Sequence, residues 1–503
     1  MKRLLALLAL LCLLTGCGAP GEYVPTGGGL FDGVDSPPET MPDTIPEIAL
    51  VCNTNESFHP YAATDRNNRS LLSLIYQGLF AVDEGYNVYP ILCKSYQVSS
   101  DMRTYTFYLE NATFSDGQAL TAQDVVSSLR AAQKEGFYAG RFSHVSSISK
   151  VDSSSLIIKL DTPVENLPLL LDIPIIKASE ISAAAPLGTG PYILERGSNG
   201  NYLRRQAAWW CSSVNLPLYD SMITLYSEES TGQIWDLFKL SDLSMVCTDS
   251  FVDFRGDYEL WESENGLFLY LSCNTKSKVF SNKSIRSALT HAIDRDALTQ
   301  KFFRGFAHSA TLPASPAFPH YSTTLASQFG YEPEKFAQAV AEAQLADNNI
   351  VLLVNSKDLV RVSIARDIAK MLTAGGLTVT IPEVSGVDYE NRLKWGEFDL
   401  CLGQTKLSPN MDLSAFFDEE GSLNYGGLSN VAANTLSLEA LANSGNYQSL
   451  HKLVMEDGRL CPLLFQSYAV YGKRDHFSGL SPARDNIFFY SLGKTMEDAL
   501  LRE

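Results

Sequence analysis

Hydrophobic and polar positions along the chain fall into two successive patterns. The first opens with Ile48-Ala49-Leu50-Val51-Cys52, an apolar run of strand length. Leu71 to Phe80 concentrates apolar residues and predicts a helix ended by Gly78 and the turn after it. Tyr105 to Glu110 (YTFYLE) alternates with a period of two and predicts a strand. Thr121 with Asp124 three residues on forms a helix-capping pair, and Val125, Leu129 and Ala132 then share one helical face. This region mixes α and β.

The second pattern begins near Ile350. VLLVN predicts a strand, and a helix follows in which Ile364, Ile368 and Met371 share a face, stopped at Gly375-Gly376. LTVTI (Leu377 to Ile381) is the next strand, a short helix runs over Tyr389 to Lys394, and FDLCLG closes the series. Strand, helix, strand, helix, strand at this spacing predicts a parallel sheet with helical crossovers. Ligands of such sheets sit beyond the carboxyl ends of the strands, so the residues after Gly403 fall at a predicted crevice. No internal repeat is present.

The termini and composition add class and compartment. Residues 1–17 read MKRLLALLALLCLLTGC: two cations, a short apolar run, then small residues. This is the layout of a secretory signal over residues 1–16, too short to span a bilayer comfortably. Leu14-Thr15-Gly16-Cys17 resembles the bacterial lipobox, which makes Cys17 the expected lipidated first residue and the membrane anchor. Residues 17–46 are rich in Gly, Pro and Thr without apolar periodicity and read as a flexible tether. At 503 residues the chain exceeds what a single core fills, so at least two lobes are expected. A net charge of −18, spread along the chain, opposes binding to nucleic acid. Beyond Cys12 and Cys17 the cysteines are Cys52, Cys93, Cys211, Cys247, Cys273, Cys401 and Cys461, with no CxxC pair. They favour buried thiols over a zinc or redox motif; one disulfide stays open.

Motifs for chemistry are weak. Gly188-Thr189-Gly190-Pro191-Tyr192 begins like a dinucleotide loop but lacks its third glycine, and Pro191 removes an amide that a phosphate would need. A tight turn is the better reading. Ser147-Ile148-Ser149-Lys150 fits the SxxK pattern of penicillin-interactive enzymes, unsupported by SDN or KTG downstream. It leaves an exported serine hydrolase as the reading from another class. His59, His144, His291, His308, His320, His451 and His476 are scattered without metal-ligand spacing, and no metal or cofactor is expected.

A long stretch carries a family resemblance: SFHPYAATDRNNRSLLSLIYQGLF, then YPILCKSYQVSSDMRTYTFYLENATFSDGQALTAQDVVSSL, between Ser57 and Leu129. GTGPYILE, LYLSCNTKSKVFSNKSIRSALTHAIDRDAL, FDLCLG and CPLLFQSYAVYG follow in order. From about residue 46 to its end the chain resembles the extracytoplasmic solute-binding proteins of the peptide/nickel family, receptors for ABC importers. That resemblance implies an α/β, two-lobed periplasmic-binding-protein-like fold with hinge crossovers, lobe I being enlarged by an α+β subdomain. The boundaries it implies are lobe I at 47–270 with its subdomain at about 67–185, lobe II at 271–465, and a return to lobe I at 466–503. The crossovers would lie near Leu269 to Asn274 and Leu464 to Tyr471.

The resemblance further implies a monomeric, non-catalytic receptor that captures a short peptide or similar solute by hinge closure and delivers it to a permease and ATPase complex. A metal chelate or an oligosaccharide is the alternative ligand. Carried over residue by residue, the ligand contacts would be Thr64, Asp65, Arg66, Tyr138, Gln404, Thr405, Lys406 and Leu407. One departure stands out. Where peptide receptors carry an Asp for the ligand's α-ammonium, this chain has Pro409, ahead of Asp412-Leu413. A buried, unpaired ammonium is costly, so Asp65 or Asp412 would have to substitute, or the ligand is not a zwitterionic peptide. The Arg that often accompanies the Asp is also missing, and Lys406 offers a positive charge instead.

Overall fold

A computed structural model describes residues 47–197, 200–211, 222–240, 242–249, 256–474, 476–477 and 480–489. The signal segment, Cys17 and the tether up to residue 46 lie outside the described residues.

The first apolar run forms the strand Ala49–Cys52, three of whose four residues are buried. It pairs in parallel with Met222–Ser227, in a four-stranded sheet completed by Gly200–Arg205 and Tyr192–Gly197. A second four-stranded sheet, antiparallel throughout, orders Cys93–Val98, Thr104–Leu109, Ser155–Leu160 and Val145–Lys150. In Thr104–Leu109 the period-two pattern turns Tyr105, Phe107 and Leu109 inward. The helix Ala122–Ala132 covers this sheet with Val125, Leu129 and Ala132, all fully buried. Its start is set as the sequence predicts, the Asp124 carboxylate accepting from the Thr121 amide at 2.9 Å and hydroxyl at 2.5 Å.

One helix departs from its apolar pattern. Instead of Leu71 to Phe80 it spans Arg66–Ile75, capped by Asp65, whose carboxylate accepts from the Asn68 amide at 2.9 Å. Its first turn is buried through hydrogen bonds, which hydrophobic periodicity does not register. Asn68 exchanges two bonds of 2.8 Å with the Asn53 backbone, and Asn67 accepts from the Cys247 amide at 3.0 Å. Beyond Ile75 the chain turns at Gly78, where a Cβ would sit 2.7 Å from the Phe80 carbonyl oxygen, and Phe80–Val82 is a strand.

A seven-stranded sheet organises the rest, in the order Met245–Thr248, Leu460–Gly472, Glu259–Cys273, Leu400–Lys406, Asn349–Leu353, Thr378–Thr380, with Ala307–Ser309 paired to Leu460–Gly472. As the spacing predicts, Asn349–Leu353 is parallel to both Thr378–Thr380 and Leu400–Lys406. The helices Leu359–Ala374 and Val387–Trp395 form the two crossovers. The two long strands, Glu259–Cys273 and Leu460–Gly472, run antiparallel beside each other with register shifts at Glu264/Phe268 and Leu269/Tyr270. Alternate residues of Glu259–Cys273 feed separate cores. Phe268 and Tyr270 join Leu71, Phe107 and Leu129, whereas Leu269 and Leu271 join Leu352, Ile364, Ile368 and Leu402. The last strand runs past Gly403 to Lys406, so Gln404, Thr405 and Lys406 are held in register against Leu269, Phe268 and Leu267.

Candidate functional site

Four chain segments bring charged side chains together at the end of Leu400–Lys406, an interior strand of the seven-stranded sheet. The capped helix supplies Arg66 and Arg69, three residues apart and so on one face. The helical turns over Gly136–Phe142 supply Phe137, Tyr138 and Arg141. The end of Leu400–Lys406 supplies Gln404 and Lys406, which alternation places on one face with Thr405 on the other. Arg484 and Asp485 arrive from the end of the chain and are buried, at 3% and 7% exposure.

Asp485 is the hub. Its carboxylate pairs with Lys406, with Arg69 at 3.3 Å and with Arg141 at 3.8 Å, while its backbone carbonyl accepts from Arg66 at 3.0 Å. Arg66 also donates twice to Asp249, at 2.6 and 3.0 Å, and lies over the Tyr468 ring. Arg141 pairs with Asp172 and lies over Tyr138. The Phe137 ring takes two cations, Arg69 at 3.8 Å and Lys406 at 3.6 Å from its centroid. Arg484 donates to the Leu407 carbonyl at 2.8 Å and to the Tyr86 hydroxyl at 3.3 Å.

Burial strains these charges. It pulls the Lys406 ammonium well below the usual lysine range, with Asp485 opposing and Arg69 adding to the fall. It pushes Arg141 down to about 10 and lowers Arg69, whose neighbour Arg66 works in the same direction. Asp485 moves oppositely: burial raises it, but Lys406, Arg69, Arg484 and Arg141 together hold it far below the carboxylate range. Burial pushes the Tyr138 hydroxyl up to about 12, so it stays protonated and able to donate.

Beside this cluster opens a cavity of about 430 Å³, within the range of small-molecule sites. It is lined by Asp249, Phe302, Phe306, Arg361, Gln404 and Gln466. A smaller space of about 60 Å³ lies behind the cluster, against Arg69, Arg141, Tyr138 and Asp485.

Of the side chains carried over from the family, Arg66, Tyr138 and Lys406 meet in the cluster, and Gln404 lines the larger cavity while accepting from Gln466 at 3.2 Å. Leu407 is buried and held by its backbone, donating to the Gly266 carbonyl at 3.1 Å. Thr405 is half-buried on the other strand face. Thr64 is exposed and donates to Glu56 at 3.3 Å, away from the cluster. Asp65 is committed as the helix cap. Asp412 is committed too, accepting from His144 Nε2 at 2.9 Å and from the Ser414 amide at 2.8 Å. Both carboxylates offered as substitutes for the missing family Asp are therefore already occupied, and Pro409 is buried.

Sequence reasoning did not name Arg69, Phe137, Arg141, Asp249, Arg484 or Asp485. The one local signal was Arg66 with Arg69 at helical spacing behind a capping Asp. The remaining motifs have structural explanations. Ser147 and Lys150 are three apart on a strand, so their side chains leave opposite faces and do not meet. Gly188 and Gly190 press on the end of the capped helix, where added Cβ atoms would lie 2.1 and 2.5 Å from the Ile75 backbone. Cys52, Cys93, Cys247, Cys273, Cys401 and Cys461 are buried, unbridged thiols. Among the described residues, no group of three or more His, Cys, Asp or Glu is placed to hold a metal ion. Among them, too, no helix is long and apolar enough to cross a membrane.

A two-lobed α/β fold with a ligand-sized cleft beside its long paired strands is the architecture of a solute-binding protein. Solved structures share it. NikA from Brucella suis, in complex with Fe(III)-EDTA, superposes with a TM-score of 0.70 at 18% identity, covering 90% of this chain and 99% of that one. HbpA2 from Haemophilus parasuis gives 0.72 at 19%, covering 88% and 99%. AppA from Bacillus subtilis, in complex with a nonapeptide, gives 0.60 at 20%, covering 88% and 96%. Residues 87–422 match the family described as bacterial extracellular solute-binding proteins, family 5 (middle region), and the chain belongs to that family. The glutathione-binding protein GsiB of Escherichia coli K12 is 28% identical over 321 residues, 59% of this chain and 61% of that protein. GsiB of Salmonella typhimurium is 27% identical over 327 residues, 60% and 62%. The chain thus spans about three fifths of the length of these curated relatives.

Proposed function

We propose that this protein is the lipid-anchored receptor of an ABC importer, enclosing a short peptide or similar small solute between two lobes and presenting it to a permease and ATPase complex. Lobe I takes 47–270, with its subdomain at about 67–185, and the return at 466–503; lobe II takes 271–465. Cys17 anchors the protein outside the cell membrane, and 17–46 is its tether. The reading predicts no turnover.

The observation that carries it is the cavity of about 430 Å³ whose lining draws on both proposed lobes, Asp249 and Gln466 from one and Phe302, Arg361 and Gln404 from the other; beside it Lys406 reaches from one proposed lobe onto Asp485 and Phe137 of the other. A ligand touching both walls binds the closed form better than the open one, and only such differential affinity shifts the equilibrium. Native mass spectrometry of freshly purified protein, with X-ray scattering before and after ligand removal, tests this. A small retained solute and expansion on its removal are expected; one unchanging shape, with no solute bound from a peptide library, rejects it. A metal chelate is the second reading. The described residues offer no cluster for a bare ion, so a metal would arrive already liganded, and elemental analysis of the purified protein separates the cases.

A further inference from the structure

Neither the charged cluster nor the cavity of about 430 Å³ accounts for His144. It stands in the proposed subdomain, between the helical turns over Gly136–Phe142 and the strand Val145–Lys150. Its Nε2 lies 2.9 Å from the carboxylate of Asp412, 268 positions away in proposed lobe II, between Leu400–Lys406 and the short helix Ser414–Phe417. Its Nδ1 lies 3.5 Å from Asp161 of the subdomain itself. The Asp161 amide donates to the His144 carbonyl at 3.0 Å, which fixes that residue to the subdomain. Asp412 is fixed to lobe II, its carboxylate also accepting from the Ser414 amide at 2.8 Å. The Asp412 side chain is 7% exposed and that of Asp161 60%, so the bond across the lobes is sheltered and the one within the subdomain is screened by water.

Other contacts cross the same boundary without a histidine. Glu165 donates its amide to the Leu441 carbonyl and accepts from the Ser444 amide, both at 2.8 Å, and Tyr86 meets Phe318 edge-on at 5.4 Å. The charges around the pair are engaged elsewhere. Arg141 lines the same small space as His144 and Asp412 but pairs with Asp172 and Asp485, and Arg103 donates to the Asp161 carbonyl at 2.7 Å. Burial keeps the Tyr447 phenol protonated near Asp412, and it donates to the Asn410 carbonyl. His320 stacks on Tyr447 and is lowered by burial, Glu165 opposing; buried His451 falls to about 3. Of these imidazoles, only His144 bonds a carboxylate across the boundary.

We propose, resting on the receptor reading above, that His144 and Asp412 form a pH-sensitive latch between the two lobes, which holds them shut in mildly acidic surroundings and releases them in alkaline ones. A charged imidazole donates from both nitrogens, one to each carboxylate. A neutral one with its proton on Nε2 keeps the bond to Asp412 but turns the Nδ1 lone pair on Asp161, and the ionic part of the attraction is gone. Burial in the closed form lowers His144, but the hydrogen bond and charge of Asp412, then of Asp161, outweigh it and raise the value above 6.5. Opening removes Asp412 and leaves the exposed Asp161, so the closed form binds the proton more tightly. Closure is therefore favoured below the open-form value and lost as pH climbs through the closed-form one. The latch also ends in strong acid, where Asp412, which burial raises and His144 brings below 3.8, takes up a proton. A solute that binds the closed form inherits this dependence without touching either residue.

Hydrogen exchange at the Glu165 amide, on the full chain freed of solute, reads the closed-to-open ratio, because that amide bonds a backbone carbonyl across the boundary. Corrected for the intrinsic pH dependence of exchange, its protection should fall about fivefold or more between about pH 6 and about pH 9. His144→Gln and Asp412→Asn should each flatten that profile at the lower level, Asp161→Asn should keep most of it, and urea unfolding identifies any variant that has merely lost its fold. Protection independent of pH in the parent chain, or a pH profile that survives in either folded latch variant, overturns the proposal. X-ray scattering separates it from the receptor reading. Lobes that close on a retained solute equally well at every pH keep the receptor and reject the latch, whereas a single shape with and without solute at every pH rejects both.

Discussion

Two regions of this molecule lie away from solvent and are opposite in kind. Beneath the parallel strands, Leu352, Ile364, Ile368, Leu372 and Leu402 are fully buried and wholly apolar. Around Asp485, Arg66, Arg141 and Arg484 are buried and Lys406 is half-buried. The apolar core stabilises by area alone, about 25 cal/mol per Å² removed from water. The charged cluster pays desolvation for every member and survives because each has a partner. A core needs only to exclude water, whereas charges at depth need partners held in fixed positions.

Removing the hub of the charged region should have the largest effect. Asp485→Asn leaves Lys406, Arg69 and Arg141 without their shared carboxylate, and a broken buried pair typically costs about 3–5 kcal/mol. Urea unfolding checks this, and a loss under about 1 kcal/mol would show that water reaches the cluster and erase the contrast.

Ile368→Ala should follow closely. The side chain is fully buried in the helix Leu359–Ala374, and truncation costs about 2–5 kcal/mol. Here stability should fall while ligand affinity stays unchanged.

A smaller effect is expected at His144, which joins Asp412 at 2.9 Å and Asp161 at 3.5 Å. Burial lowers the imidazole, but the hydrogen bond and charge of Asp412, then of Asp161, outweigh it and raise the net value above 6.5. Asp412 shifts the other way, burial raising it and His144 bringing it below 3.8. The raised His contributes stability fully below 6.5 and loses it as pH climbs through the higher folded value. The depressed Asp contributes above 3.8 and loses it as pH falls through the lower folded value. His144→Ala should therefore cost about 1–2 kcal/mol between those limits, with the gap to the parent closing in alkali. A pH-independent gap in melting temperature would refute the ion pair.

The smallest effect belongs to Thr121→Ala. It removes the hydroxyl that donates to Asp124 but keeps the amide donor, so about 0.5–1 kcal/mol should be lost, read from the unfolding midpoint.

The elements most legible in the sequence were those whose burial follows their own period. VLLVN, the Ile364/Ile368 face and FDLCLG announced the parallel unit, and Thr121 with Asp124 announced a helix start. The capped helix was misplaced because half-buried Asn67 and buried Asn68 are held by hydrogen bonds to Cys247 and Asn53, which no apolar pattern records. Within the candidate site, Arg66, Tyr138, Gln404 and Lys406 came from the family resemblance. Asp485, the residue that ties most of them together, came from neither pattern nor resemblance.

The amino-acid order by itself determined which residues face inward along each strand and helix, since that depends only on periods of two and 3.6 and on local caps. What only the tertiary structure decided is who meets whom among the charges. Arg66 bonds a residue 419 positions away, and Arg69 one 416 away. A charge announces no partner along the chain, because its energy depends on what the folded backbone brings within a few ångströms in a medium from which water has been removed.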